Sequence, residues 1–129
     1  LLTHVIFYLL SDELQCYIYS GNFYLVTAIV HSKEELEQSL NPNVDLLGVN
    51  NRNLSTFETT IQTSKELAEL IPSEFLKVSE SGISDPEAVV DLMSYGYEGF
   101  LIGEHFMTKG SPEKACRDFI KKVQGHTNR

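Results

Sequence analysis

The sequence predicts an α/β fold, a parallel sheet built from βα repeats, and three observations predict it. Five short apolar runs, residues 5–10, 24–30, 46–49, 75–78 and 100–102, are rich in Val, Ile, Leu and Phe, as strands buried on both faces of a parallel sheet are. Each run is followed by a polar cluster and then by a helix-start signal. The unit recurs with a period of roughly 25 residues, which suits crossover helices between parallel strands. At 129 residues the chain is one domain with no linker or low-complexity stretch, and it has about half the length of a closed β/α barrel of ~250 residues.

Taken in order, the first run opens the chain at Leu1-Leu2-Thr3-His4. It is too short for a membrane span, which needs about 20 apolar residues, and it lacks the basic region and cleavage site of a signal peptide. With no initiator Met, it reads as starting inside a longer protein. The repeat then demands a helix over residues 12–20, although Cys16-Tyr17-Ile18-Tyr19 is strand-like in composition. After the second run, Ser32-Lys33-Glu34-Glu35 fits a capping box, as does Thr63-Ser64-Lys65-Glu66 after the third. Ser84-Asp85-Pro86-Glu87 and Ser111-Pro112-Glu113 set a capping side chain before a first-turn proline. Val89, Leu92 and Met93, then Ala115, Phe119, Ile120 and Val123, recur at helical spacing. Gly96 stands where the first of these helices should end. The expectation is about five strands and four to five helices.

Hydrophobic residues make up 42% of the chain and charged residues 22%, so disordered, collagenous and coiled-coil classes are poor fits. The net charge of −8 argues against nucleic acid and anionic membrane as partners. A small anion remains compatible with it, because backbone amides bind phosphate whatever the overall charge. Cys16 and Cys116 are too few for a disulfide scaffold and read as reduced core thiols in the cytoplasm. The four histidines, His4, His31, His105 and His126, show no paired metal spacing, and His31 reads as a structural hydrogen-bonder at a strand end. Neither a Walker A motif nor GxGxxG is present. No metal or cofactor is expected.

In a parallel array the loops after the C-terminal strand ends share one face, and ligands bind there. That rule gathers Asn50-Asn51-Arg52-Asn53, Glu80-Ser81-Gly82 and Gly103-Glu104 on one rim. Each has a plainer reading. Asn50 and Asn51 suit turns, Arg52 a surface ion pair, Ser81 a cap, and Gly82 and Gly103 tight βα connections. Glu80 resists such a reading, because a carboxylate at the end of an apolar run is costly to bury without a purpose.

These same segments resemble a known family. Leu47-Gly48-Val49-Asn50-Asn51-Arg52-Asn53-Leu54 with Thr56-Phe57-Glu58, Lys77-Val78-Ser79-Glu80-Ser81-Gly82-Ile83, and Phe100-Leu101-Ile102-Gly103-Glu104 with Phe106-Met107 are similar to strands six, seven and eight of indole-3-glycerol phosphate synthase. The likeness is strong over residues 31–120 and loose over residues 1–30, where it lies in spacing more than in side chains. It implies a partial (β/α)8 TIM barrel, strands four to eight, with residues 1–10 as the fourth strand. It also implies a cofactor-free lyase of tryptophan biosynthesis that closes the ring of 1-(2-carboxyphenylamino)-1-deoxyribulose 5-phosphate, releasing carbon dioxide and water. By this resemblance Glu80, Asn50 and Ser81 are catalytic, Arg52 and Asn51 bind substrate, and Gly82, Gly103 and Glu104 hold the phosphate. The strands bearing the family's catalytic lysines have no counterpart here, and Ile29 stands where the family carries an acidic residue. The resemblance thus implies a C-terminal part, inactive alone, whose partners are the sugar phosphate and either a second copy or an N-terminal half. The alternative is a non-catalytic half-barrel module for phosphate binding or assembly. Phosphoribosylanthranilate isomerase shares the phosphate grip but not the Asn-Asn-Arg and Glu-Ser-Gly clusters.

Overall fold

The computed structural model describes residues 7–10, 17–18 and 27–127, with side chains from residue 28 onward. Six strands form one sheet: β1 (Phe7–Leu10), β2 (Tyr17–Ile18), β3 (Thr27–Val30), β4 (Leu46–Asn50), β5 (Leu76–Glu80) and β6 (Gly99–Leu101). Their spatial order is β2-β1-β6-β5-β4-β3. From β3 to β6 the pairings are parallel and follow chain order, so the four repeats from residue 27 onward form the expected partial-barrel array. The helices are α1 (Lys33–Ser39), α2 (Gln62–Ala68), α3 (Pro86–Ser94), α4 (Glu104–Met107) and α5 (Pro112–Thr127).

The first repeat departs from expectation. β1 pairs antiparallel with β6 and with β2, where a fourth barrel strand would lie parallel beside β3. Tyr17–Ile18 is strand, not the helix expected over residues 12–20, and the rest of that span and Cys16 lie outside the described residues. The physical reason is the short gap between β1 and β2. It is enough for an antiparallel return but not for the dozen or more residues a parallel crossover requires. Tyr and Ile also prefer the strand. The consequence is that the flank of β6 is covered by the chain's own N-terminal part, and the sheet edges among the described strands are β2 and β3.

Alternation along the strands separates two faces. Val30, Leu47, Val49 and Phe100, each fully shielded, turn toward the helices and join Leu36, Leu67, Val89, Leu92, Phe106, Phe119 and Val123 in one core. Cys116 is buried there too. Ile29, Gly48, Val78 and Glu80 share the opposite face.

Helix starts use the anticipated residues with informative changes. Ser32 caps α1 by accepting from Glu35 N, but the Glu35 carboxylate reaches past Ser32 to the N–H of His31 at 2.7 Å. Asp85 caps α3 ahead of Pro86, and Gly96 follows it at φ +91°, with Gly96 N–H donating to Met93 O and Tyr97 N–H to Leu92 O. The capping box expected at Thr63 does not form. α2 begins at Gln62, and its third amide, Ser64 N–H, is capped from a distance by Asn51 Oδ1 at 3.2 Å.

Candidate active site at the C-terminal strand ends

The parallel register sets Asn50 beside Glu80 and Glu80 beside Leu101, so the exits of β4, β5 and β6 adjoin. The exit of β4 is a run of side-chain-stabilised turns. Asn50 Oδ1 accepts Arg52 N–H at 3.0 Å, and Asn53 Oδ1 accepts Ser55 N–H at 2.8 Å and Thr56 N–H at 3.1 Å. Asn53 N–H donates to Glu58 O, and Arg52 pairs antiparallel with Thr59, which folds the loop back over the next exit. Arg52 Nη2 then donates to Glu104 Oε2 at 2.8 Å, joining the loops after β4 and β6.

Glu80 ends β5 at 7% exposure. Its carboxylate lies over Gly48, where an added Cβ would stand 2.5 Å from Oε1 and 3.1 Å from Cδ. The glycine thus makes the room that the carboxylate fills. Burial raises the Glu80 carboxyl above the ordinary 4.5, and the positive potential of His31 opposes that shift in part. Among the described residues none donates a hydrogen bond to this carboxylate. An enclosed acid whose proton affinity burial raises is suited to proton transfer. Ile29 shares its face, half-exposed, and leaves no second carboxylate there.

His31, at the end of β3, brings Nδ1 to within 3.0 Å of Glu35 Oε2, as a structural hydrogen-bonder would. The two hydrogen bonds from His31 hold the Glu35 carboxyl below its ordinary value. Nε2 of the same ring is buried without a partner among the described residues.

Behind the rim lies a polar cluster that none of the local motifs announces. Asn51 is 2% exposed, too enclosed to present its amide to a ligand. Nδ2 donates to Ser79 Oγ and to Ser81 O, both at 3.0 Å, and Oδ1 accepts from Ser64 Oγ at 2.7 Å as well as from Ser64 N–H. The Ser64 and Ser79 hydroxyls bond each other, and the Tyr97 hydroxyl donates to Ser64 O. Burial pushes the Tyr97 phenol up to about 12. Ser64, Ser79, Tyr97, Gly48 and Thr59 escaped the sequence reading because each acts on a partner remote in the chain.

Past Glu80, Ser81 and Gly82 both take left-handed geometry, φ +69° and +70°. Thr59 packs so closely on Gly82 that an added Cβ would meet its Cβ at 2.7 Å. The N–H groups of Gly82, Ile83 and Ser84 have no acceptor among the described residues. They border a cleft of about 520 Å³ that is also lined by Arg52, Gly103, Glu104 and His105. Ser81, Gly82, Gly103, Glu104 and Arg52 therefore meet at one cleft. Asn50 and Asn51 border a second hollow of about 300 Å³ with His31 and Glu35. Among the described residues no three His, Cys, Asp or Glu side chains converge as a metal site would need, and no helix is long and apolar enough to cross a membrane.

Comparison with known proteins identifies the family. The family model for indole-3-glycerol phosphate synthase matches residues 2–119. Curated proteins of that name are similar to the chain. That of Bacteroides thetaiotaomicron is 47% identical over 95 residues, covering 74% of this chain and 36% of its own length. The Caldanaerobacter subterraneus protein is 46% identical, covering 74% and 37%. The Burkholderia ambifaria protein is 40% identical over 112 residues, covering 86% and 42%. The chain thus spans about two fifths of the length of these relatives. Among solved structures, a chain of the Amycolatopsis orientalis BexX/CysO complex aligns with a TM-score of 0.53 over 78% of this chain and 41% of its own, at 18% identity, a likeness of fold alone. With a family model matched over nearly its whole length, the chain belongs to the indole-3-glycerol phosphate synthase family.

Proposed function

We propose that the chain supplies the sugar-phosphate-binding and proton-transferring rim of an indole-3-glycerol phosphate synthase. The observation that carries the reading is Glu80: a carboxylate sunk beside Gly48 at the end of β5, flanked by the exits of β4 and β6. The substrate is 1-(2-carboxyphenylamino)-1-deoxyribulose 5-phosphate. Its phosphate takes the cleft bordered by the amides of Gly82, Ile83 and Ser84 and by the backbone of Gly103 and Glu104, where uncharged donors hold a dianion without a buried cation. Arg52 faces the same cleft and exchanges Glu104 for the anion. Asn50 meets the polar edge of the anthranilate, and Ser81 lies beside the reacting carbons.

The chemistry joins the ring carbon bearing the carboxylate to the ribulose carbonyl carbon, expels carbon dioxide, and then loses the new hydroxyl as water. A carboxyl whose proton affinity burial has raised can hand its proton to that departing hydroxyl and recover one from the adjacent N–CH2 carbon, the former ribulose C1, as the ring double bond forms. Asn50, Glu80 and Gly103 bring no lysine to this rim, so the 129 residues alone bind substrate without rapid turnover. Strands bearing further acids complete the site.

The test uses the chain with the substrate. Calorimetry reads binding, and indole fluorescence reads turnover against a protein that has no tryptophan of its own. Binding without product is expected for the chain alone. When the preceding strands of a family member are added, product should appear and Glu80→Gln should lower its rate at least about a hundredfold, the lower end of what one acid–base group contributes. No binding under any of these conditions refutes the reading, and an unchanged rate in Glu80→Gln removes Glu80 from the chemistry.

A further inference from the structure

The Asn-Asn-Arg triplet contains one residue that the proposed site does not use. Asn51 is enclosed and its amide is fully employed by Ser79, Ser81 and Ser64. Its main chain is engaged too, with N–H donating to Glu80 O at 2.8 Å and the carbonyl accepting Thr60 N–H at 3.1 Å. One residue of β4's exit thereby grips two successive carbonyls of β5's exit, that of Glu80 through its backbone and that of Ser81 through its side chain.

We infer that Asn51 is a positioning residue for anion binding: it touches no ligand, and it fixes the Ser81–Gly82 turn in the form that leaves the amides of Gly82, Ile83 and Ser84 free. The inference rests on the phosphate reading of that cleft. Magnitudes support it. Ser81 at φ +69° has no glycine's freedom, and a left-handed non-glycine residue is disfavoured by about tenfold or more. A buried hydrogen bond shifts a conformational equilibrium by about the same factor. The turn's population is therefore poised on the bond from Asn51 Nδ2 to Ser81 O. Ordinary backbone preference would return Ser81 toward extended geometry and redirect the amides that follow.

The test compares Asn51→Ala with Tyr97→Phe in the full chain. The second variant breaks the same buried network at its far end, where Tyr97 donates to Ser64 O, and leaves the bond to Ser81 in place. Each variant is titrated with inorganic phosphate at constant ionic strength while the Gly82, Ile83 and Ser84 amide resonances are followed. Wild type is expected to saturate. Asn51→Ala should bind about tenfold more weakly, the factor one such bond supplies, and Tyr97→Phe should stay within about twofold even if its melting point falls as far. Equal weakening in both variants, or none in Asn51→Ala, overturns the inference. If Asn51→Ala does not fold, Asn51→Ser replaces it, since a serine hydroxyl is too short to reach Ser81.

If wild type binds no phosphate, the reading of the cleft fails and the positioning claim is judged separately. Shifts of the Gly82 and Ile83 amides in phosphate-free Asn51→Ala, absent from Tyr97→Phe, would sustain it. Superimposable spectra would overturn it.

Discussion

Replacing Gly82 by alanine tests whether the turn after β5 has the geometry described. The residue sits at φ +70°, and its new Cβ would lie 2.7 Å from Thr59 Cβ and 3.0 Å from Thr59 Oγ1. A non-glycine residue in the left-handed region costs about 1–2 kcal/mol. The contact adds a second cost, because Thr59 is not a loose side-chain end. It is held by its pairing with Arg52 and by the bond from Asn53 N–H to Glu58 O, and overpacking against such a neighbour costs about 1–3 kcal/mol. Restricting the unfolded chain returns about 0.4–1 kcal/mol. The net expectation is a loss of about 2–3 kcal/mol, read as a lower urea midpoint at unchanged m-value, or a drop in Tm of roughly 10 °C for a domain of this size. Adding Thr59→Gly should restore the steric share and leave the backbone share. A loss below about 0.5 kcal/mol would refute the turn geometry, and complete restoration by Thr59→Gly would refute the backbone cost.

Two further outcomes concern Glu80. Gly48→Ala should destabilise the wild type yet be neutral or favourable beside Glu80→Ala, with a coupling of about 1 kcal/mol in a double-mutant cycle; additive effects would mean that the carboxylate does not lie over Gly48. Because burial raises the Glu80 carboxyl above 4.5, the folded chain keeps a proton that the unfolded chain has released. Its contribution to stability is therefore greatest below 4.5 and declines as pH rises through the raised folded value. The stability difference between wild type and Glu80→Gln should fall across that window and level off above it, and a flat or rising difference would contradict the burial of this group.

The parts of the fold legible in the sequence are those governed by neighbours along the chain. Asp85 before Pro86, Gly96 behind α3 and the apolar runs of β3 to β6 each announce themselves within a few residues. The errors arise where a distant partner decides. Thr63-Ser64-Lys65-Glu66 has the letters of a capping box, but Asn51, thirteen residues before Ser64, supplies the cap and draws Ser64 into the core. Asn51 itself reads as a ligand contact among its polar neighbours, and only the tertiary structure encloses it. Gly48 carries no signal in a strand beyond weakening it, although its missing Cβ is what admits the Glu80 carboxylate. In the first repeat the period of the later repeats predicts a helix over residues 12–20, whereas the local preference of Tyr17 and Ile18 for strand prevails at those two residues.

A phosphate site on a chain of net charge −8 must be local in origin, and the ion pair at the rim shows how it can be. Arg52 is about one-third exposed and Glu104 is 79% exposed, so their contact is worth at most about 1 kcal/mol in solvent. Charges farther from the cleft than the Debye length of about 8 Å are largely screened. Gly82, Ile83 and Ser84, whose amides have no acceptor among the described residues, line the cleft itself. On the proposed reading, a phosphate arriving there gains hydrogen bonds to donors that have no acceptor among the described residues, and charge-assisted bonds of this kind are worth about 1.5–3 kcal/mol each. The exchange of Glu104 for phosphate at Arg52 is then downhill, and Glu104 loses little, since its carboxylate stays in water. On the proposed reading, then, the cleft takes an anion through these local backbone donors and not through the net charge of the chain.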